Sequence, residues 1–152
     1  MPIDVTLATS VKAPRDVVAR FTMDPRNDVA WIGGVRTAEV EGAEPFGVGS
    51  RVRRVASFLG KRIEYVNRVD ELEPGARLVM RSVKGPFPMV VTYAFGDEPD
   101  GATAVTVRVQ GEPGGVYRIG ASLMELQVRR AIRDDLRTLK ALVEGCRGRT
   151  GG

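Results

Sequence analysis

The chain has 152 residues, of which 43% are hydrophobic and 28% charged, the profile of one folded domain with material for a core. It contains no histidine and a single cysteine, Cys146. Ser-His-Asp and Cys-His catalytic arrangements, zinc sites built on His and Cys, and intramolecular disulfides are therefore excluded. The net charge is +4, and 19 of the 23 basic residues are arginine. The clusters Arg51-Arg53-Arg54 and Arg129-Arg130-Arg133-Arg137 lack the interleaved aromatic residues of a base-stacking surface, so nucleic acid is not an expected partner.

The start, Met1-Pro2-Ile3-Asp4, does not read as a signal peptide, and no run of 18 apolar residues follows. The expectation is a cytoplasmic protein without stable membrane insertion. Residues 3–12 alternate, with Ile3, Val5, Leu7, Thr9 and Val11 on one face, and predict a half-buried strand. Pro14 suits a first helical turn, and Val17, Val18 and Phe21 follow at helical spacing. Asp24-Pro25 predicts a second short helix capped by Asp24, with Val29, Trp31 and Ile32 as its apolar side, stopped by Gly33-Gly34.

From 35 to 112 the pattern is a meander of six strands, near 35–41, 49–59, 61–73, 76–84, 88–96 and 103–111. Turn signals separate them: Gly42 to Gly49, Leu59-Gly60, Pro74-Gly75, Gly85-Pro86-Phe87-Pro88 and Pro99-Asp100-Gly101. Short consecutive connections make antiparallel neighbours. Ile63, Tyr65, Asn67 and Val69, then Leu78, Met80 and Ser82, then Met89, Val91, Tyr93 and Phe95, then Val105, Val107 and Val109 each mark an interior face. The loop Gly42 to Gly49 lacks the Gly-Lys-Ser/Thr of a P-loop and the third glycine of a dinucleotide fingerprint, and reads as a hairpin loop.

After Glu112-Pro113-Gly114-Gly115 a long helix is predicted over about 116–144. Its apolar stripe holds Tyr117, Ala121, Met124, Val128, Ala131/Ile132, Leu139 and Leu142/Val143. Residues 1–146 are expected to form a single domain and 147–152 a disordered tail. A helix of roughly 28 residues is about 42 Å long and spans one face of a curved sheet.

This order, together with Val11-Lys12-Ala13-Pro14, Asp24-Pro25 leading to Trp31, Gly47-Val48-Gly49-Ser50, Val69-Asp70-Glu71-Leu72-Glu73-Pro74-Gly75 and Thr92-Tyr93-Ala94-Phe95, resembles the START/Bet v 1-like (SRPBCC) superfamily over residues 3–144. The similarity is greatest to its polyketide cyclase/dehydrase-type branch. The resemblance implies an α+β helix-grip fold: a curved seven-stranded antiparallel sheet wrapped around a long C-terminal helix, with two short helices after the first strand. It also implies an interior cavity for an apolar ligand or substrate.

The expected lining of such a cavity is Trp31, Arg54, Phe58, Tyr65, Asn67, Met80, Met89, Tyr93, Val107, Tyr117, Met124 and Gln127. Tyr65, Asn67, Ser82, Tyr93, Tyr117 and Gln127 bring more polar atoms than a sealed core accommodates; they pair with a ligand, with water or with one another. Met80, Met89 and Met124 suit either soft lining or plain core. Trp31 either shapes the entrance or packs helix on sheet. Strand 49–59 breaks its own alternation. Either a bulge reconciles Val52 with Val55, or Val52, Ala56 and Phe58 point inward and take Arg54 with them, where it could hold an anionic oxygen. Asp135 falls inside the apolar stripe; an ion pair with an arginine of the first helix, such as Arg20, is expected ahead of a catalytic role.

No metal site and no cofactor are expected. Ile119, Leu123 and Leu126 lie opposite the main helix stripe and suggest a homodimer contact. Three functions remain: binding of a hydrophobic, lipid- or polyketide-like small molecule in the cavity; a cyclase, aromatase or dehydratase-type enzyme using the same cavity; and a protein-interaction module. Without histidine, proton transfer in an enzyme falls to tyrosine, arginine, a carboxylate or water.

Overall fold

A computed structural model describes residues 3–42, 45–58, 60–113 and 121–150. Strand β1 (Ile3–Val11) leads into α1 (Arg15–Met23), then a 3-10 turn at Pro25–Asn27 and the single-turn helix α2 (Asp28–Trp31). The strands β2 (Val35–Glu41), β3 (Arg51–Phe58), β4 (Lys61–Glu73), β5 (Arg77–Lys84), β6 (Met89–Asp97) and β7 (Thr103–Gly111) follow, and α3 (Ala121–Thr150) comes last. This is the expected helix-grip architecture. Predicted and observed strand ends agree within two residues. Helix α3 runs to Thr150, beyond the stripe's end near 144, because the sequence Gly145 to Thr150 is nearly without apolar residues and leaves a periodicity nothing to register.

The sheet order is β1-β7-β6-β5-β4-β3-β2, with every neighbouring pair antiparallel. The chain's first two strands are thus the two edges of the sheet, and α1 and α2 carry the chain from one edge to the other. The junction into α1 is fixed by Thr103, fully buried, whose Oγ1 donates to the Ala13 carbonyl at 2.7 Å. Asp24 caps the 3-10 turn by accepting from the Arg26 N–H at 3.0 Å. Trp31 is buried but Val29 is 51% exposed. One turn of helix presents too narrow a face to bury both, which corrects the expected apolar side of this segment.

Helix α3 lies against β1 and touches α1 and α2. Lys140 Nζ donates to the Ser10 carbonyl at 2.6 Å and Glu144 Oε2 accepts from the Lys12 N–H at 2.8 Å, so the helix is pinned to the end of β1. Met124, Ile132, Leu136, Leu139 and Val143 are its buried positions, and with Val5, Val11, Val69, Leu78, Val105 and Phe95 they form the core. Leu123 and Leu126 stay 47% exposed, whereas Ile119 lies outside the described residues.

Two features of the sheet position the site. First, β3 pairs with β4 in unbroken register from Arg51↔Arg68 to Phe58↔Lys61, and Val52, Arg54 and Ala56 are all buried. No bulge interrupts this ladder. The irregularity falls in β2 instead, where Arg36 is the extra residue between the pairs Val35↔Ala56 and Thr37↔Val55. Of the two readings of strand 49–59, Arg54 inward is the correct one. Second, Gly34 lets the start of β2 approach β3 closely; a Cβ there would lie 2.7 Å from the Ser57 carbonyl oxygen, which is backbone and cannot yield.

Candidate functional site

Between the inner face of the sheet, α2 and α3 lies a pocket of about 280 Å³. Trp31 of α2 and Ile32 just after it wall one side, and Arg54, Ala56, Ser57 and Phe58 of β3 another. Ile63, Tyr65 and Asn67 of β4, Met80 of β5, Val91 and Tyr93 of β6, and Val107 and Val109 of β7 supply the sheet floor. Phe87 enters from the β5–β6 connection and Met89 from the start of β6, and α3 closes the top with Val128, Ala131, Ile132 and Asp135. Period-2 alternation explains the floor, since residues two apart on each strand share the inner face. A wider depression of about 1340 Å³ opens on the outside among α1, β2 and the β4–β5 turn. Charged side chains such as Arg15, Asp16, Arg20 and Arg26 share its lining with Met23, Val40, Phe46, Leu72 and Pro74.

Arg54 is the strongest charge in the pocket wall, and it is already paired. Its Nε and Nη2 both donate to Asp28 Oδ2, at 2.8 and 2.7 Å, and the two side chains are 4% and 2% exposed. Nη2 also reaches the Met80 sulfur at 3.8 Å. Burial pushes the Asp28 carboxyl up, and the adjacent guanidinium opposes that rise. Arg54 stays a cation: burial pulls its pKa down, but Asp28, Tyr65 and Tyr93 together hold it above the ordinary value. The pair joins α2 to β3 and so holds Trp31 against the pocket.

Around this pair stand polar groups with few partners. Trp31 packs edge-on against Tyr93, with ring centroids 5.7 Å apart. Trp31 Nε1 and Asn67 Oδ1 are sealed from solvent and make no hydrogen bond among the described residues, and each residue is only 3% exposed. Such orphaned groups cost roughly 1–3 kcal/mol each. Burial raises the pKa of both the Tyr65 and Tyr93 hydroxyls, so both are neutral donors at physiological pH.

Asp135 completes the lining from α3. Its Oδ1 accepts from the Gly33 N–H at 2.8 Å, tying the helix to the α2–β2 connection. Burial pushes its pKa up to about 6; the Gly33 N–H opposes the rise and Asp134 adds to it. The expected partner Arg20 is elsewhere, paired with Asp16 at 3.6 Å on the outside of α1. Asp135 is therefore held by a backbone donor, because α1 presents Arg20 to solvent while the Gly33 amide meets the α3 stripe.

Of the expected lining residues, Trp31, Arg54, Phe58, Tyr65, Asn67, Met80, Met89, Tyr93 and Val107 converge on the pocket. Met124 does not reach it and is plain core at 1% exposure, and Gln127 is half-buried away from it. The helix positions that do line it, Val128, Ala131, Ile132 and Asp135, lie further along α3. Tyr117 falls outside the described residues. Ser82 is occupied, accepting from the Met89 N–H at 2.8 Å. The residue the sequence did not reveal is Asp28. Its one legible signal is that an inward arginine on β3 demands a buried carboxylate.

Among the described residues no helix is long and apolar enough to cross a membrane. Two solved structures match over nearly their whole length with a TM-score of 0.83. They are the Zhui aromatase/cyclase from Streptomyces sp. R1128 (18% identity; 100% of this chain and 99% of that one) and a START superfamily protein from Mycobacterium smegmatis (11%; 94% and 98%). A Thermus thermophilus protein, TTHA0849, matches with a TM-score of 0.81 at 22% identity, covering 94% of this chain and 98% of that one. At these identities the likeness is one of fold. No curated protein matches the sequence significantly. The family model described as polyketide cyclase / dehydrase and lipid transport matches residues 2–144, and the chain belongs to that family.

Proposed function

We infer that the protein binds a small hydrophobic molecule in the pocket between the sheet and α3. The observation that carries this reading is the lining itself, mostly apolar side chains with a few polar groups converging from α2, β3, β4 and α3. Met80 and Met89 supply adaptable surface for an apolar guest. Family membership and the fold shared with an aromatase/cyclase support a ligand-centred role. Native mass spectrometry of freshly purified protein tests it. A retained apolar adduct that is lost on denaturation is expected, and a clean apo mass with no uptake of an added apolar probe counts against it.

One observation favours a second reading, an enzyme of the cyclase, aromatase or dehydratase type. Asp135 is a carboxylate in the pocket wall with its pKa pushed up to about 6, suited to taking a proton near neutral pH. The neutral hydroxyls of Tyr65 and Tyr93 supply donors for a developing oxyanion in the same space. Separate replacement of Tyr65, Asn67 and Asp135 divides the readings. Loss of turnover with ligand affinity intact indicates catalysis, and parallel loss of affinity indicates binding alone.

A further inference from the structure

The pocket's charge, orphaned atoms and size say what it selects, provided that it is a ligand pocket as inferred above. Among the described residues Arg54 is the only basic side chain in the lining, and two of its donors are spent on Asp28. Turning it toward a ligand carboxylate leaves Asp28, 2% exposed, as an unpaired buried charge. The remaining charge in the lining is the Asp135 carboxylate, whose one hydrogen bond is from a backbone amide. Among the described residues an anionic guest therefore meets a like charge and no unpaired cation.

The two orphaned atoms point to a complementary group. Trp31 Nε1 only donates and Asn67 Oδ1 only accepts. A ligand hydroxyl can serve either one and carries no charge. Because both atoms are closed to solvent, pairing either takes a small shift of the wall, and the unbranched Met80 in the same lining is its most adaptable member. The volume of about 280 Å³ lies at the bottom of the range of roughly 300–1,000 Å³ for small-molecule sites. It suits one or two rings rather than a long acyl chain.

We propose that the pocket selects a neutral, hydroxyl-bearing ligand of one or two rings and discriminates against carboxylates and long acyl chains. The test is displacement of the neutral two-ring fluorescent probe 1-naphthylamine near neutral pH by 2-naphthol, 2-naphthoate, naphthalene and dodecanoate. The expected result is that 2-naphthol binds at least about tenfold more tightly than 2-naphthoate or dodecanoate, and more tightly than naphthalene. Asp28→Asn, which frees Arg54, is expected to raise naphthoate affinity by roughly tenfold. Should that variant fail to fold, Asp135→Asn keeps the Gly33 contact, removes the like charge, and is expected to raise naphthoate affinity several-fold. Probe binding combined with equal or tighter binding of naphthoate or dodecanoate overturns the selectivity alone. Absence of binding by the probe and by all four compounds overturns the ligand-pocket reading itself.

Discussion

The outer and inner faces of β3 carry the same side chain one residue apart. Arg53 is half exposed and pairs with Glu64 of β4 on the convex surface. Arg54 is 3% exposed and pairs with Asp28 of α2 inside the grip. The outer pair joins adjacent strands that are already hydrogen-bonded, holds the Glu64 carboxyl below its usual range, and stays accessible to salt. The inner pair joins two elements that the sheet ladder does not connect, and each partner depends on the other for its charge. An exposed arginine pair adds little to a fold, whereas a buried one commits two elements to a single arrangement.

The largest way to break this contrast is Arg54→Met. It strands Asp28 in the interior and is expected to lower stability by about 3–5 kcal/mol in urea unfolding. Adding Asp28→Leu is expected to restore much of that loss, since the double change removes both charges. A single variant as stable as the parent contradicts the structural role of the pair.

Next in size is Asp135→Asn. The folded carboxyl titrates at about 6, above its ordinary 3.8, so the folded state binds this proton more tightly than the unfolded chain does. The group's contribution is most favourable below about pH 4 and is lost as pH rises through about 6. Asparagine has no such titration and still accepts from Gly33. The variant is expected to gain about 1 kcal/mol at pH 7, allowing for partial solvent screening, and to flatten the fall in stability between pH 4 and 6. Unchanged pH dependence in chemical unfolding contradicts this.

The smallest effect is expected outside. Arg53→Ala should leave the unfolding midpoint unchanged within error, and molar salt should not alter that result. A clear loss of stability in Arg53→Ala would erase the distinction between the two faces.

How far the sequence revealed this arrangement follows from the same contrast. Period-2 alternation is a strong signal, and it located every strand and most of the pocket floor. It failed at strand 49–59 because the extra residue, Arg36, sits on the neighbouring strand, and no pattern within β3 reports an irregularity in β2. Met124 and Gln127 were misplaced because helical periodicity identifies a stripe but not how far along it a pocket opens. Asp28 was missed because a four-residue helix offers no periodicity, and its partner lies 26 residues away. Asp135 was flagged by its position in the stripe but assigned to Arg20, because sequence spacing gives no sight of a backbone amide at Gly33.

The central claim is that the space under α3 receives a ligand. The most direct measurement is a fluorescence titration of the two-ring probe 1-naphthylamine into the parent protein and into Ala131→Trp. Ala131 lines the pocket from an exposed position on α3, so a larger side chain there obstructs the pocket without overpacking the core. The account predicts saturable binding to the parent, and binding at least about tenfold weaker in the variant, with an unchanged unfolding midpoint. Equal binding by both proteins, or none by the parent, would contradict it.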